Sequence, residues 1–419
     1  MIDPRLLRED PEAVRRSLER RGSDIDLEAM IALEEKARTV QGEAESARAA
    51  QKEAGRRIAQ LDGEEKERAI AEVSSLADRV KELTAEADAL RADFEHRWLT
   101  VPNLVDPTAA EGFEEEDAEV LREVGEQTRF SFEPADHATL GERLDLIDTD
   151  RAAKVSGSRF GYLKGEAVIL EFALVRWALD RLVAAGHVPM VPPVLVREEA
   201  LVGTGFFPAD REQVYAVPED DLYLVGTSEV PLAAYHGDEI FDAEDLPARY
   251  AGYSTCFRRE AGTYGKDTTG IFRVHQFDKV EMFVFCRPED SAAEHERLLG
   301  IEEALVQELE VPYRVVNIAA GDLGASAAKK YDIEAWFPSQ GRYREITSCS
   351  NTTDYQARRL RVRYRADASN EIVHTLNWTA CAVGRTILAL LENHQQEDGS
   401  VLIPQALRPY TGFDRIAPH

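Results

Sequence analysis

The chain has 419 residues, enough for two or three domains and a sizeable core. A formal charge of −28 and a pI near 4.8 exclude a general positive field, so an RNA partner must meet locally basic patches. No N-terminal signal pattern and no bilayer-length apolar run is present, and Cys256, Cys286, Cys349 and Cys381 show no C-x-x-C spacing. That predicts a cytoplasmic protein with reduced thiols, no disulfide framework and no zinc.

Residues 1–25 are predicted as a short helical lead-in with Asp10-Pro11-Glu12 as a helix start. Apolar residues then step by four and three at Leu33, Ala37, Val40, Ala44, Ala47, Ala54, Ile58 and Leu61, with polar Gln51 filling one gap. After Asp62-Gly63 a second series runs through Val73, Leu76, Val80, Leu83, Ala87, Leu90 and Phe94. A heptad seam on both sides of one turn predicts an antiparallel helical hairpin over about 27–98. Each arm of roughly 30 residues reaches about 45 Å at 1.5 Å per residue. Arg48, Lys52 and Arg56 recur every four residues with Arg57 beside them. Such a row serves either as a solvated ion-pair face or as a strip that grips a phosphate backbone.

Val101-Pro102-Asn103-Leu104 closes the arm, which sets predicted domains at 1–103 and 104–419. An acidic, irregular linker with Glu114-Glu115-Glu116-Asp117 follows. Residues 167–186 carry a helical pattern ending at Gly186, then an extended piece from Val188 to Pro192-Pro193. Leu222–Glu229 is predicted as a strand with a polar end, placing Thr227 and Glu229 on one face around Ser228.

From Tyr253 to Phe285 two aromatic and β-branched stretches flank a loop of glycines and threonines, predicting two strands. Alternation puts Arg258 and Glu260 on one face of the first, and Arg273, Phe277 and Glu281 on one face of the second. Charges are rarely buried unless paired or bound, and a solvated face does not require an aromatic among them. Arginine forks hold phosphate, an aromatic stacks on a planar base, and a carboxylate accepts from an amine. No G-x-G-x-x-G follows a strand, and Gly262–Lys266 lacks the spacing of a phosphate-binding loop. Residues 288–310 read as a helix and 311–319 as a strand. Tyr343 to Ser350 carries Glu345, Ile346, Thr347 and Ser348, and Leu376 to Arg385 opens a helix continuing through Leu391.

The wording C-F-R-R-E-A-G, then H-Q-F-D-K-V-E, resembles the second signature motif of class II aminoacyl-tRNA synthetases, in its bacterial seryl-tRNA synthetase form. Residues 167–193 are similar to the first motif and Gly384-Arg385 to the third, so the likeness covers essentially the whole chain, arm included. It implies an α+β protein: an N-terminal antiparallel coiled-coil hairpin, then a catalytic domain on a mostly antiparallel sheet flanked by helices. The implied reaction is ATP-dependent attachment of L-serine to tRNA(Ser), and to tRNA(Sec) where present, through a seryl-adenylate. Mg²⁺ is the implied cofactor beside ATP, and the first motif implies a homodimer.

By position, the resemblance puts Arg258 on the α-phosphate and serine carboxylate and Arg385 on the γ-phosphate. Glu260 and the backbone near Val274 read adenine, Phe277 stacks on it, and Arg259, Arg273, Ile346 and Thr347 complete the ATP contacts. Glu345 and Ser348 hold metal and ATP; Thr227, Ser228, Glu229, Glu281, Asn377 and Thr379 surround serine. The loop 261–272 faces the tRNA acceptor end, and Arg48, Lys52, Arg56 and Arg57 grip the long variable arm. One departure stands out: position 378, usually small in the family, is Trp378, which either reshapes the pocket or points into the core. Two rivals remain open, a ligase activating a small amino acid for a non-tRNA acceptor and a catalytically inactive coiled-coil protein.

Overall fold

The computed structural model describes residues 1–262 and 270–418, which divide into two compact units. One comprises Asp3–Glu19 with Ser23–Pro102; the other runs from Asn103 onward and includes Met1–Ile2 and Arg20–Gly22.

In the first unit, two short helices, Leu6–Glu9 and Pro11–Arg20, precede the arm helices Leu27–Ile58 and Gly63–Trp98. Asp26 caps the first arm helix by accepting from the Ala29 N–H at 3.0 Å. The turn between them needs Gly63, whose φ of +60° lies in the left-handed region. Val40 and Ala44 pack against Leu83 and Ala87 along the seam, joined by Ala47 and Leu90. The alanines leave no bulk between the helices, so the backbones approach closely.

The second unit is built on eight strands: β1 (Glu119–Val124), β2 (Val188–Met190), β3 (Ala248–Phe257), β4 (Gln276–Cys286), β5 (Tyr313–Asn317), β6 (Lys329–Phe337), β7 (Arg342–Thr353) and β8 (His374–Ala382). Their spatial order is β1-β5-β6-β7-β8-β4-β3-β2. Every neighbouring pair is antiparallel except β2 with β3. Helices Glu166–Ala184, Ser291–Glu308 and Val383–Asn393 bury one sheet face, where Val280, Met282, Ile333, Cys349 and Trp378 join Trp177, Leu298 and Ile387. Gly186 ends the first of these helices at φ +88°, as its sequence predicts. The four cysteines are free and buried, and no helix among the described residues is long and apolar enough to cross a membrane.

Two irregularities set which side chains reach the other face. In β7, Thr347 pairs with Ile333 and Glu345 with Glu334, leaving Ile346 as an extra residue. In β8, Cys381 pairs with Val280 and Thr379 with Glu281, leaving Ala380 extra. Each bulge turns residues three apart toward the same side.

Three local expectations change. β3 ends at Phe257 and β4 begins at Gln276, so Arg258, Glu260 and Arg273 lie beyond the strand ends rather than on strand faces. Glu260 adopts φ +49°, which no strand allows. The strand at 222 stops at Leu224, and Glu229 is the first residue of helix Glu229–Ala234. Leu376–Ala382 is strand, and the helix begins only at Val383.

Candidate active site

The face of the sheet opposite those three helices carries a cavity of about 390 Å³. It collects side chains from β4, β7 and β8, from the segments just outside β3 and β4, and from the two helix starts at Glu229 and Val383. Phe277, Lys279 and Glu281 alternate along β4 and all face it. On β7, regular alternation would send Glu345 and Ser348 to opposite faces; the bulge at Ile346 brings both into the cavity. The Ala380 bulge does the same for Thr379 and Ala382.

One end of the cavity is cationic. The Arg258 guanidinium lies 5.3 Å from the Phe277 ring centre and donates to the Gly226 carbonyl at 3.2 Å. Arg273 pairs with Glu260 at 2.7 Å. Arg385 donates to the Glu345 carbonyl at 3.0 Å and lies 3.4 Å from its carboxylate. The Arg344 and Arg385 guanidiniums lie 3.9 and 4.9 Å from the Phe272 ring centre. Desolvation pushes the Glu345 carboxyl up, but Arg385, Lys330 and Arg258 outweigh it and hold the group well below the usual carboxylate range.

The other end is a buried polar network. Thr227 donates to Glu281 at 3.0 Å and accepts from the Glu229 N–H at 3.2 Å. Glu229 accepts from Gln356 at 2.6 Å and from Asn377 at 2.8 Å. Lys279 pairs with Glu281 and reaches Thr379 at 3.5 Å. Burial, with the nearby Glu281 charge, pushes Glu229 up to about 7. A carboxyl left half-protonated at neutral pH is a costly arrangement that a bound ammonium would relieve.

Of the residues singled out from sequence, Thr227, Glu229, Arg258, Glu260, Arg273, Val274, Phe277, Glu281, Glu345, Ile346, Thr347, Ser348, Asn377, Thr379 and Arg385 line this cavity. Ser228 and Arg259 do not. Ser228 is buried and donates to the Gly252 carbonyl, and Arg259 points to the Tyr215 ring, 5.6 Å away. Residues 263–269, the middle of the loop expected to face an acceptor end, lie outside the described residues. Arg48, Lys52, Arg56 and Arg57 are exposed on the arm.

Trp378 is fully buried on the core side, between Asn377 and Thr379, which face the cavity. It points into the core and does not line the pocket. Sequence reasoning missed Phe272, Lys279, Lys330 and Gln356. Lys279 was recoverable, since it alternates with Phe277 and Glu281. No local signal marks Lys330 or Gln356, which only tertiary packing brings to the site.

Comparison with known proteins agrees with this geometry. Residues 214–394 match the tRNA synthetase class II core domain (G, H, P, S and T), and residues 1–105 match the seryl-tRNA synthetase N-terminal domain. The chain is 55% identical to a serine–tRNA ligase of Acidothermus cellulolyticus, covering 100% of both chains. It is 52% identical to one of Thermobifida fusca, covering 100% of this chain and 99% of the relative. A crystal structure of seryl-tRNA synthetase from Pyrococcus horikoshii complexed with ATP superposes with a TM-score of 0.96 at 44% identity, covering 100% of both chains.

Proposed function

The chain belongs to the seryl-tRNA synthetase family of class II aminoacyl-tRNA synthetases, and on that premise we propose how its cavity performs ATP-dependent attachment of serine to tRNA(Ser). In the first step the serine carboxylate attacks the α-phosphorus of ATP, giving seryl-adenylate and pyrophosphate. In the second the tRNA 3′-terminal hydroxyl takes the seryl group. The protein's part is positioning and charge stabilisation. Arg258 holds the α-phosphate and the serine carboxylate, and Arg385 holds the γ-phosphate. The base stacks on Phe277, with its amine toward Glu260 and the backbone near Val274; Arg273 keeps Glu260 in place and contacts phosphate.

Serine occupies the polar end. Its ammonium and hydroxyl meet Thr227, Glu229, Glu281, Asn377 and Thr379, with Lys279 holding Glu281. Alanine leaves these buried groups unpaired and is rejected by polarity, whereas threonine is excluded by size. Mg²⁺ fits the cationic end in one respect: Glu345 is held ionised and shares its face with the Ser348 hydroxyl. Magnesium takes few protein carboxylates beside phosphate oxygens and water, so Glu345 and Ser348 suffice to hold it. When bound it neutralises developing phosphate charge.

The exposed Arg48, Lys52, Arg56 and Arg57 row grips the long variable arm of tRNA(Ser). A homodimer through helix Glu166–Ala184 and β2 is supported by exposed apolar Phe172, Val188 and Val191. A cytoplasmic location goes with the reaction.

The observation that carries this reading is the convergence of Arg258, Phe277, Glu345 and Arg385, distant in sequence, on one cavity with a cationic end and a buried polar end. Its test is amino-acid-dependent ATP–pyrophosphate exchange with serine, threonine, alanine and glycine. Exchange with serine alone supports the assignment; no exchange by the folded protein overturns it.

A further inference from the structure

Behind the cavity, on the core side of the sheet, lies a fully buried carboxyl, Glu302 of helix Ser291–Glu308. Glu302 forms no ion pair among the described residues. Its Oε2 accepts from Trp378 Nε1 at 2.7 Å. Its Oε1 and the Thr347 hydroxyl are both buried without a hydrogen-bond partner among the described residues, and Thr347 is close enough to draw the Glu302 carboxyl downward. Trp378 belongs to β8, whose adjacent residues Asn377 and Thr379 line the amino-acid end. Thr347 belongs to β7, directly after the Ile346 bulge that turns Glu345 and Ser348 into the ATP end. Trp378 and Cys349 are register partners where the two strands meet, so Glu302 sits against the seam of the site's floor.

We propose that Glu302 is a positioning residue that ties β7 to β8 from behind by bridging Thr347 and Trp378. The proposal rests on the reading of the cavity as the adenylation site. A neutral carboxylic acid has one acceptor oxygen and one O–H donor, matching an indole N–H on one side and a hydroxyl on the other. Burial pushes Glu302 well above the usual carboxylate range, although Thr347 and Trp378 draw it back, which agrees with that state. The surroundings supply no proton competitor: His295, stacked on Tyr331 beside Trp378, is lowered to about 4 by burial and stays neutral. Asp332 and Glu303 also act on Glu302, and both favour its protonated form. Trp378 is thus no steric intrusion on the pocket but one end of a brace that the small residue expected here could not provide.

A double-mutant cycle tests it, using serine-dependent ATP–pyrophosphate exchange on full-length protein. Glu302→Gln keeps a donor and an acceptor and is expected to hold the serine KM within about twofold of wild type. Glu302→Leu and Trp378→Phe are each expected to raise the serine KM about tenfold, and the double variant no further. Additive effects, or an unchanged KM in folded Glu302→Leu, overturn the brace. The indole N–H resonance of Trp378, read by NMR without substrate, is independent of the catalytic assignment. Its displacement in Glu302→Leu but not in Glu302→Gln, and its constancy from pH 6 to 9 in wild type, support the brace. A resonance that titrates in that range, or ignores both substitutions, overturns it.

Discussion

The arm and the cavity handle charge in opposite ways. On the arm, ion pairs lie in solvent, some loose, as Arg56–Glu53 at 3.7 Å and Arg79–Glu43 at 3.9 Å, some close, as Arg91–Glu95 at 3.0 Å, and in these three every partner is more than half exposed. Such pairs contribute about 0–1 kcal/mol each. The cavity instead buries Lys279 with Glu281, and the Glu229 carboxyl there accepts from the neutral Gln356 and Asn377 amides. Removing one partner of a buried pair costs about 3–5 kcal/mol. Charge on the arm therefore adds little to stability, whereas charge in the cavity lowers it, the pattern expected where a ligand is to meet that charge.

The sharpest way to separate the two regions is Arg258→Ala. Serine-dependent exchange and tRNA charging are both expected to fall at least about 10³-fold, since preorganised charge on the reacting phosphate is lost. Replacing Arg48, Lys52, Arg56 and Arg57 with Ala should spare exchange while lowering tRNA(Ser) charging about 10²-fold. The slope of affinity against salt should become shallower as phosphate contacts disappear. Equal loss in both assays would erase the distinction between the regions.

Glu229→Gln is a milder probe. The native carboxyl titrates near 7 against an ordinary value of 4.5, so the folded protein keeps a proton that the unfolded chain has released. Without serine, stability is expected to fall as pH rises from about 4.5 through 7. An ammonium ligand favours the ionised form, so the serine KM should fall as pH rises through the same window. In Glu229→Gln the KM should be about tenfold higher and lose this pH dependence, as read from exchange between pH 6 and 8. The smallest expected effect lies in the seam: Ala44→Leu overpacks the helical hairpin and should cost about 1–3 kcal/mol by thermal melting, leaving exchange intact.

Much of this was legible in the sequence. The arm follows from a 3.5-residue apolar period on both sides of the Asp62-Gly63 turn, because a local repeat records which helical face meets its partner. The order Arg258, Phe277, Glu345, Arg385 was likewise readable, since each sits in a recognisable stretch. Three things were not. Alternation cannot count bulges, so the shared face of Glu345 and Ser348 depends on Ile346 being extra. It also mistook Thr227 and Glu229 for strand neighbours, when a helix start brings them together. Last, Trp378 falls on the core side opposite its strand neighbours Asn377 and Thr379, and the partner it meets there, Glu302, lies 76 residues away, a contact that no local pattern encodes. The sequence alone determined the elements and the chemical types at the site, because both are local properties. Only the tertiary structure decided which face each side chain takes, because strand register and buried polar partners are settled between distant segments.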